Sequence, residues 1–559
     1  MTNLTRLEAI AQLTAVGQDY ELETIEMYGR TVRGFKNGPA TLREHFEVAC
    51  SDETFLVYDN ERYSFTEAHE KAGLFAAVLQ QEYGIEKGDR VAISMRNYPE
   101  WVLSFMAITS MGAIAVAMNS LWTPDEMAYG LKDSGAKVLF ADQERIDRIQ
   151  PIMAELDLNI IAVRPTAVLA ENITSIDDLM TKYAGQTMPD VDVSPHDNAT
   201  ILYTSGSTGH PKGAVSCHQN IMTALLSWEL DQHIALVINN LTLPEAEYQA
   251  STLLAVPLFH ATGLLAGLLS SYRIQRKVVL MYKWDADLST EIIEEERITS
   301  FIAPAAMTGD LVEKAKSTNR DLSSLATVGG GGAPRAPEQV RSIASSFAKA
   351  MPNTGWGMTE TNAIGAGIGG EDYLEHPSSS GRCSAALDIK VINEAGETLP
   401  AGERGELLIC GSSVIKGYWN RPDANAETFV DGWLKTGDVA YIDQEGYLYI
   451  VDRIKDLVIR GGENIGCAEV EAGLLVHPQV LEASVYAVPD ERLGEEVGAT
   501  IYTDGEIDGE VLKKFLLDHI ARFKIPRYIV VSEEPLLRIA SGKIDKRRIR
   551  ELAVEQLLG

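Results

Sequence analysis

The chain reads as a multidomain α/β protein: a large N-terminal domain of α/β sheet subdomains plus a β-rich subdomain, then a small C-terminal α+β domain. Three observations predict this. Its 559 residues exceed what one compact core usually spans. Apolar runs alternate with helical patterns from residue 89 to 328, as in a parallel sheet with right-handed crossovers. After Gly381 the texture changes to short strands with glycine turns, and the charged break Asp452-Arg453-Ile454-Lys455-Asp456 sets off a last unit of ordinary domain size. The expected domains are 1–453 and 454–559.

In order, residues 1–50 read as helical and peripheral. Residues 55–63 alternate like a hairpin turning at Asp59-Asn60, and Ser64 or Thr66 caps the next helix. Residues 89–95 form a strand, Pro99 opens a helix because proline suits the first helical position, and strands follow at 112–118 and 136–141. A helix is expected at 220–230, a strand enters Val256-Pro257-Leu258-Phe259-His260, and a helix starts at Gly263. Strands at 387–392, 405–410, 437–442 and 447–451 make the β-rich part. The last unit has helices at 467–475 and 509–521 and strands at 481–488 and 528–531. Residues 101–124 and 249–272 carry no charge beyond His260. Each is broken by glycine or proline, so they read as buried helix and strand and not as membrane spans.

The stretch Tyr203-Thr204-Ser205-Gly206-Ser207-Thr208-Gly209-His210-Pro211-Lys212-Gly213 follows a buried strand. Its glycines admit close backbone approach, and successive N–H groups in such a turn form an anion cradle. Four hydroxyls and a lysine add donors. The spacing is not that of a Walker A loop. Two more glycine-rich turns close strands, at Gly329–Pro334 and at Asn353–Glu360. Three such turns at strand ends mark where an open α/β sheet binds its ligand.

Net charge is −31, which repels nucleic acid and anionic lipid. A phosphate-bearing ligand therefore needs a local positive site. The five cysteines lie far apart, without metal spacing, as reduced thiols of a cytoplasmic protein would. Residues 1–20 lack the apolar core of a signal peptide. The run Ser541-Gly542-Lys543-Ile544-Asp545-Lys546-Arg547-Arg548 is the most basic in the chain.

These motifs, in this order along nearly the whole chain, resemble the adenylate-forming superfamily: acyl-CoA synthetases, firefly luciferase and amino-acid adenylation domains. The resemblance implies ATP and AMP binding by Thr204, Ser205, Gly206, Ser207, Thr208, Gly209 and Lys212 in the phosphate loop. It places Gly332, Ala333 and Pro334 at the adenine, Gly355 and Thr359 in the third turn, and Asp438 and Arg453 at the ribose. It implies Lys543 as the adenylation lysine, Glu360 as a Mg²⁺ contact assisted by Thr204, and Lys455 as the hinge of a mobile small domain. Rotation about that hinge would bring Gly461-Gly462-Glu463-Asn464 to the site for coenzyme A. His260 ends the substrate-side motif, and Cys467 is read as packing.

The implied reaction activates a carboxylic acid with ATP, releases pyrophosphate, and passes the acyl group to coenzyme A with release of AMP. A carrier-protein-loading enzyme and a luciferase-type oxidase share the first step and are the alternatives. The acyl pocket is assigned to His260, Trp356 and Gly357. Short-acid relatives carry a tryptophan at the Gly357 position, so glycine implies an open pocket and an acid larger than acetate. Amino-acid adenylation domains carry an aspartate where this chain has His260. A buried ammonium without such a partner is costly, so a medium- or long-chain fatty acid or an aryl acid fits better. Whether the protein is a monomer or a homodimer stays open.

Overall fold

The computed structural model describes residues 4–204, 211–241, 247–332, 335–461, 463–539 and 543–558, without the side chains of Ala154 and Asn464. Ser205, Gly206, Ser207, Thr208 and Gly209 of the phosphate loop, with Ala333, Pro334 and Gly462, lie outside the described residues.

Two large sheets form the body. In the first, Ile173–Ser175, Asn159–Val163, Val138–Asp142, Arg90–Ser94, Ile114–Ala117 and Asn198–Thr204 run parallel. Its far edge is antiparallel: Lys212–Cys217 folds back on Asn198–Thr204, and the two-residue strand Gly417–Tyr418 pairs with it. The second sheet has parallel strands Lys277–Leu280, Ser251–Leu254, Ser300–Ile302, Thr327–Gly329 and Met351–Trp356. It continues antiparallel through Ala366–Gly369, Gly381–Cys383, Tyr447–Arg453, Trp433–Ile442, Gly405–Gly411 and Leu387–Ile392. The β-rich stretch after Gly381 is thus joined to the α/β sheet, because Gly381–Cys383 pairs on both of its edges.

Helices Phe65–Tyr83 and Pro99–Ser110 pack on each other. All of Pro99–Ser110 except Glu100 is buried, which explains a helix apolar on every side. Ser64, with Glu67, is the cap of Phe65–Tyr83. Residues 22–35, expected to be helical, form the hairpin Leu22–Met27 and Arg30–Phe35. Its β-branched residues favour strands, and Tyr28 and Gly29 both take positive φ at the turn.

Helix His218–Ile238 is longer than expected. It is the one helix, among the described residues, long and apolar enough to cross a membrane, and half of that apolar window is buried inside the fold. The segment Thr262–Leu269, expected as an α-helix, is a π-helix. It starts tight against the preceding turn: a Cβ on Gly263 would lie 2.4 Å from the Pro257 carbonyl oxygen.

The small sheet is formed by Glu463–Ile465, Val458–Arg460, Gly494–Thr503, Val480–Asp490 and Tyr528–Ser532. Cys467–Leu475, Gly509–Leu516 and Lys546–Leu558 are its helices. The basic run at 541–548 therefore leads into a helix that buries Ile549 and Ala553.

One buried side chain ties the first sheet to the turn before His260. Asn97, 4% exposed, donates from Nδ2 to the carbonyls of Leu254 (3.3 Å) and Val256 (3.0 Å), and its Oδ1 accepts from the Leu258 N–H at 3.0 Å. Asn97→Ala is expected to leave these groups unpaired, at about 1–3 kcal/mol for each that stays unsatisfied. Chemical denaturation should show the loss. An unchanged midpoint would refute this role.

Candidate active site

The parallel strands of the second sheet end side by side. Ser251–Leu254 leads to Pro257–His260, Thr327–Gly329 to Gly332, and Met351–Trp356 to Gly357–Glu360. The hairpin Asn198–Thr204/Lys212–Cys217 of the first sheet carries the two arms of the phosphate loop. Thr204 and Lys212 are paired there, with Thr204 Oγ1 donating to the Lys212 carbonyl at 3.3 Å.

Tyr418 connects the two sheets. Its strand pairs with Lys212–Cys217, and its hydroxyl donates to Glu360 Oε1 at 2.7 Å. The Lys212 ammonium lies 5.1 Å from the centre of the same ring. Glu360 is 7% exposed and sits on the one-turn helix Thr359–Thr361. The next residue but one, Asn362, anchors that turn: Ser216 Oγ donates to its Oδ1 at 2.9 Å, and its Nδ2 donates to the Ser413 carbonyl at 2.8 Å. Among the described residues no group of three or more His, Cys, Asp or Glu could hold a metal by itself. The Glu360 carboxylate is a hard oxygen donor of the kind that suits Mg²⁺ arriving on phosphates.

Asp438 is buried on strand Trp433–Ile442, opposite Arg453 on Tyr447–Arg453. Arg453 Nε lies 2.6 Å from Oδ1 and the Trp356 indole Nε1 donates to Oδ2 at 2.9 Å. Burial raises the carboxyl pKa, and Arg453 and Trp356 oppose that rise.

Lys543 comes from the small domain. Its ammonium is the nearest group, at 3.3 Å, to where a Cβ on Gly332 would lie, with Thr262 Oγ1 at 3.8 Å. Burial, then the charge of Arg453, lowers the Lys543 pKa. Lys543 in turn acts on His260, whose pKa is pushed down to about 3, chiefly by burial. His260 is therefore neutral, and its Nε2 is buried without a hydrogen-bond partner among the described residues. The structure thus gathers Lys543, Gly332 and His260 from two domains, with Arg453, Asp438 and Trp356 beside them.

The junction between the domains is bonded. Asp452 Oδ2 accepts from the Ala468 N–H at 3.2 Å, in the first turn of Cys467–Leu475. Cys467 is buried, its Sγ donating to the Asp456 carbonyl at 3.1 Å. Lys455 lies on the short turn Ile454–Asp456, and burial lowers its pKa, with Arg453 and Lys212 adding to the effect. Gly461 and Glu463 are exposed, and Gly461 faces Leu493 of the small domain. Lys524 and Arg527 of that domain are in ion pairs with Glu469 (2.5 Å) and Asp490 (3.0 Å).

Two pocket assignments change. A Cβ on Gly357 would lie 2.4 Å from the Ala363 carbonyl oxygen, so this glycine permits close backbone packing and leaves no open space. The inference of a large acid from Gly357 loses its physical basis. Trp356 packs over Gly365, with its indole N–H on Asp438, and so belongs to the Asp438 cluster as much as to any acyl wall. Sequence reasoning also passed over Asn97, Thr262 and Tyr418. Their long-range partners leave no local pattern.

Residues 42–419 match the family model described as AMP-binding enzyme, and residues 469–543 that described as AMP-binding enzyme C-terminal domain. A long-chain-fatty-acid–CoA ligase of Mycobacterium tuberculosis is 32% identical over 493 residues, 88% of this chain and 93% of that protein. A feruloyl-CoA synthase of an Amycolatopsis species is 34% identical over 469 residues, 84% of this chain and 89% of that one. The solved structure of o-succinylbenzoate CoA synthetase from Bacillus subtilis, in complex with its acyl-adenylate intermediate, is similar with a TM-score of 0.76 at 29% identity, covering 92% of this chain and 98% of that chain. With its buried Asp438, its Glu360 turn and its incoming Lys543, this chain belongs to the AMP-binding enzyme family, in the acyl-CoA synthetase branch of the adenylate-forming enzymes.

Proposed function

We propose that this chain activates a medium- or long-chain fatty acid or an aryl acid with ATP and transfers the acyl group to coenzyme A. Ligases of this branch use ATP, Mg²⁺ and coenzyme A. The observation that carries the reading is Lys543 beside Gly332 and His260, a half-buried cation delivered by the small domain to the strand ends of the large one. The proposed division of labour follows the domains 1–453 and 454–559.

The substrate carboxylate attacks the α-phosphorus of ATP, and pyrophosphate leaves. Both reactants are anions, so the barrier is largely electrostatic. Lys543 spreads the charge that develops on the α-phosphate. Thr204 and Lys212 hold the arms of the phosphate loop, and Asp438 and Arg453 bind the ribose. Mg²⁺, held by Glu360 with Thr204, supplies positive charge at the phosphate oxygens when bound. The small domain then turns about Lys455, withdrawing Lys543 and presenting Gly461 and Gly462. The coenzyme A thiolate attacks the acyl carbonyl and AMP leaves with the bonding electrons. The junction bond from Ala468 to Asp452 is one that this rotation breaks.

The acid class rests on three supports. Lys543 is the charged group that bears on His260, and its positive charge disfavours an ammonium there. Residues 261–272 after it carry no charge. Relatives are named for fatty, feruloyl and o-succinylbenzoyl groups.

Lys543→Ala should cut acid-dependent pyrophosphate release by at least about 10²–10³-fold. It should still convert a supplied acyl-adenylate to the thioester. Undiminished pyrophosphate release would refute the role. A panel of acids from acetate to C18, with benzoates and cinnamates, should show AMP formation with coenzyme A highest for a fatty or aryl acid. A preference for acetate or an amino acid would overturn the class. Since His260 titrates near 3, it stays neutral at any higher pH, and the pH–rate profile should carry no ionisation from it between pH 5 and 8. Loss of a transition in that range in His260→Gln would contradict this.

A further inference from the structure

Asp438 must present a charged, well-aimed carboxylate while its side chain is only 3% exposed. Its surroundings hold its backbone N–H and both carboxylate oxygens. The backbone N–H donates to Thr436 Oγ1 at 3.1 Å, and Thr436 is itself fixed to the Leu407 carbonyl at 2.8 Å. Oδ1 meets Arg453 Nε and Oδ2 accepts from the Trp356 indole.

The two partners differ in kind. The Arg453 side chain is 43% exposed and directly precedes the turn Ile454–Asp456, so its grip can change with the domains. Trp356 cannot move in that way. It ends strand Met351–Trp356, and its ring lies so close over Gly365 that a Cβ there would stand 2.6 Å from it. It packs against two apolar clusters at once, one around Ile364 and Ile409 and one around Ala366 and Leu407. An indole has one N–H and no acceptor, so a packed tryptophan sends its single hydrogen bond along one direction.

We propose that Trp356 is a positioning residue for nucleotide recognition: its indole N–H fixes Asp438 Oδ2 so that the free lone pairs of the carboxylate face the vicinal hydroxyls of a ribose. An ionised carboxylate has about four acceptor sites. Arg453 takes one on Oδ1 and Trp356 one on Oδ2, which leaves one on each oxygen. Two acceptors about 2.2 Å apart on a rigid plane suit a cis-diol, whose two O–H groups are donors. The inference rests on the reading that Asp438 binds the nucleotide ribose, and it assigns to Trp356 a function other than lining the acyl pocket.

The test compares two ligands on the full-length protein by calorimetry, AMP and 2′,3′-dideoxy-AMP, which lacks the diol. In Trp356→Phe the ring remains and the donor is lost. AMP should bind roughly 10-fold more weakly, the scale of one hydrogen bond to a charged acceptor, while dideoxy-AMP changes by less than about 2-fold. Equal weakening of both ligands would overturn the proposal, because the ring would then act by packing alone. Trp356→His keeps a ring N–H and should retain part of the preference for AMP. A second measurement needs no substitution at 356. With ¹⁵N-labelled indoles, one indole N–H signal should shift with AMP, not with dideoxy-AMP, and should also move in Asp438→Asn. No such signal refutes the role. If the unaltered protein binds AMP and dideoxy-AMP equally, the ribose reading of Asp438 fails and the inference with it. If it prefers AMP and Trp356→Phe keeps the full preference, the inference alone fails.

Discussion

A hydroxyl 2.7 Å from a buried carboxylate joins the two halves of the large domain. Tyr418 belongs to the edge of the first sheet by its backbone and to the end of the second by its side chain, through Glu360. Glu360 is buried, and the Tyr418 hydroxyl with the anchored turn around it fixes where its carboxylate lies. Because strand Lys212–Cys217 is the neighbour of Tyr418, the same contact ties that strand to the turn that carries Glu360. The site is thus assembled across a seam. Asn97 closes the seam at another point and Asp438 with Arg453 lies on the far side, so no single loop defines the pocket.

The pattern of apolar runs and glycine turns was enough to read most of this fold. Strands near 90, 114 and 138, the turn at Asp59, and helix Cys467–Leu475 lie where periodicity and turn chemistry put them. The failures have physical causes. Residues 22–35 fall within the stretch 1–50 read as helical, although their β-branched residues and Tyr28-Gly29 turn favour a hairpin. Thr262–Leu269 is a π-helix where an α-helix was expected, and apolar periodicity does not separate the two. The joining of the β-rich stretch to the parallel sheet depends on Gly381–Cys383, three residues with no signal of their own.

For the site, residue identity was legible and residue neighbourhood was not. Asp438, Glu360, Arg453 and Lys543 stand in motifs whose glycines announce close approach, and the fold brings Arg453, Asp438 and Lys543 near one another. Gly357 is the instructive miss. Absence of a side chain was taken as empty space, whereas the carbonyl of Ala363 fills it. A glycine in a sequence reports that something needs room; which neighbour takes the room is a tertiary fact. Trp356 shows the converse, since a large residue expected to narrow a pocket supplies a donor to a carboxylate 82 positions away.

Lys212, Arg453, Lys455 and Lys543 share one neighbourhood in a chain of net charge −31. A polyanion such as ATP is repelled at long range and attracted only over the last few ångströms. Beyond a Debye length of about 8–10 Å, salt erases the repulsion, while half-buried Lys212 and Lys543 are screened less. Nucleotide capture in such a field is faster in moderate salt than in dilute buffer, the reverse of electrostatic steering. The selection of a nucleotide is thus left to short-range contacts with these cations and not to the field of the whole surface.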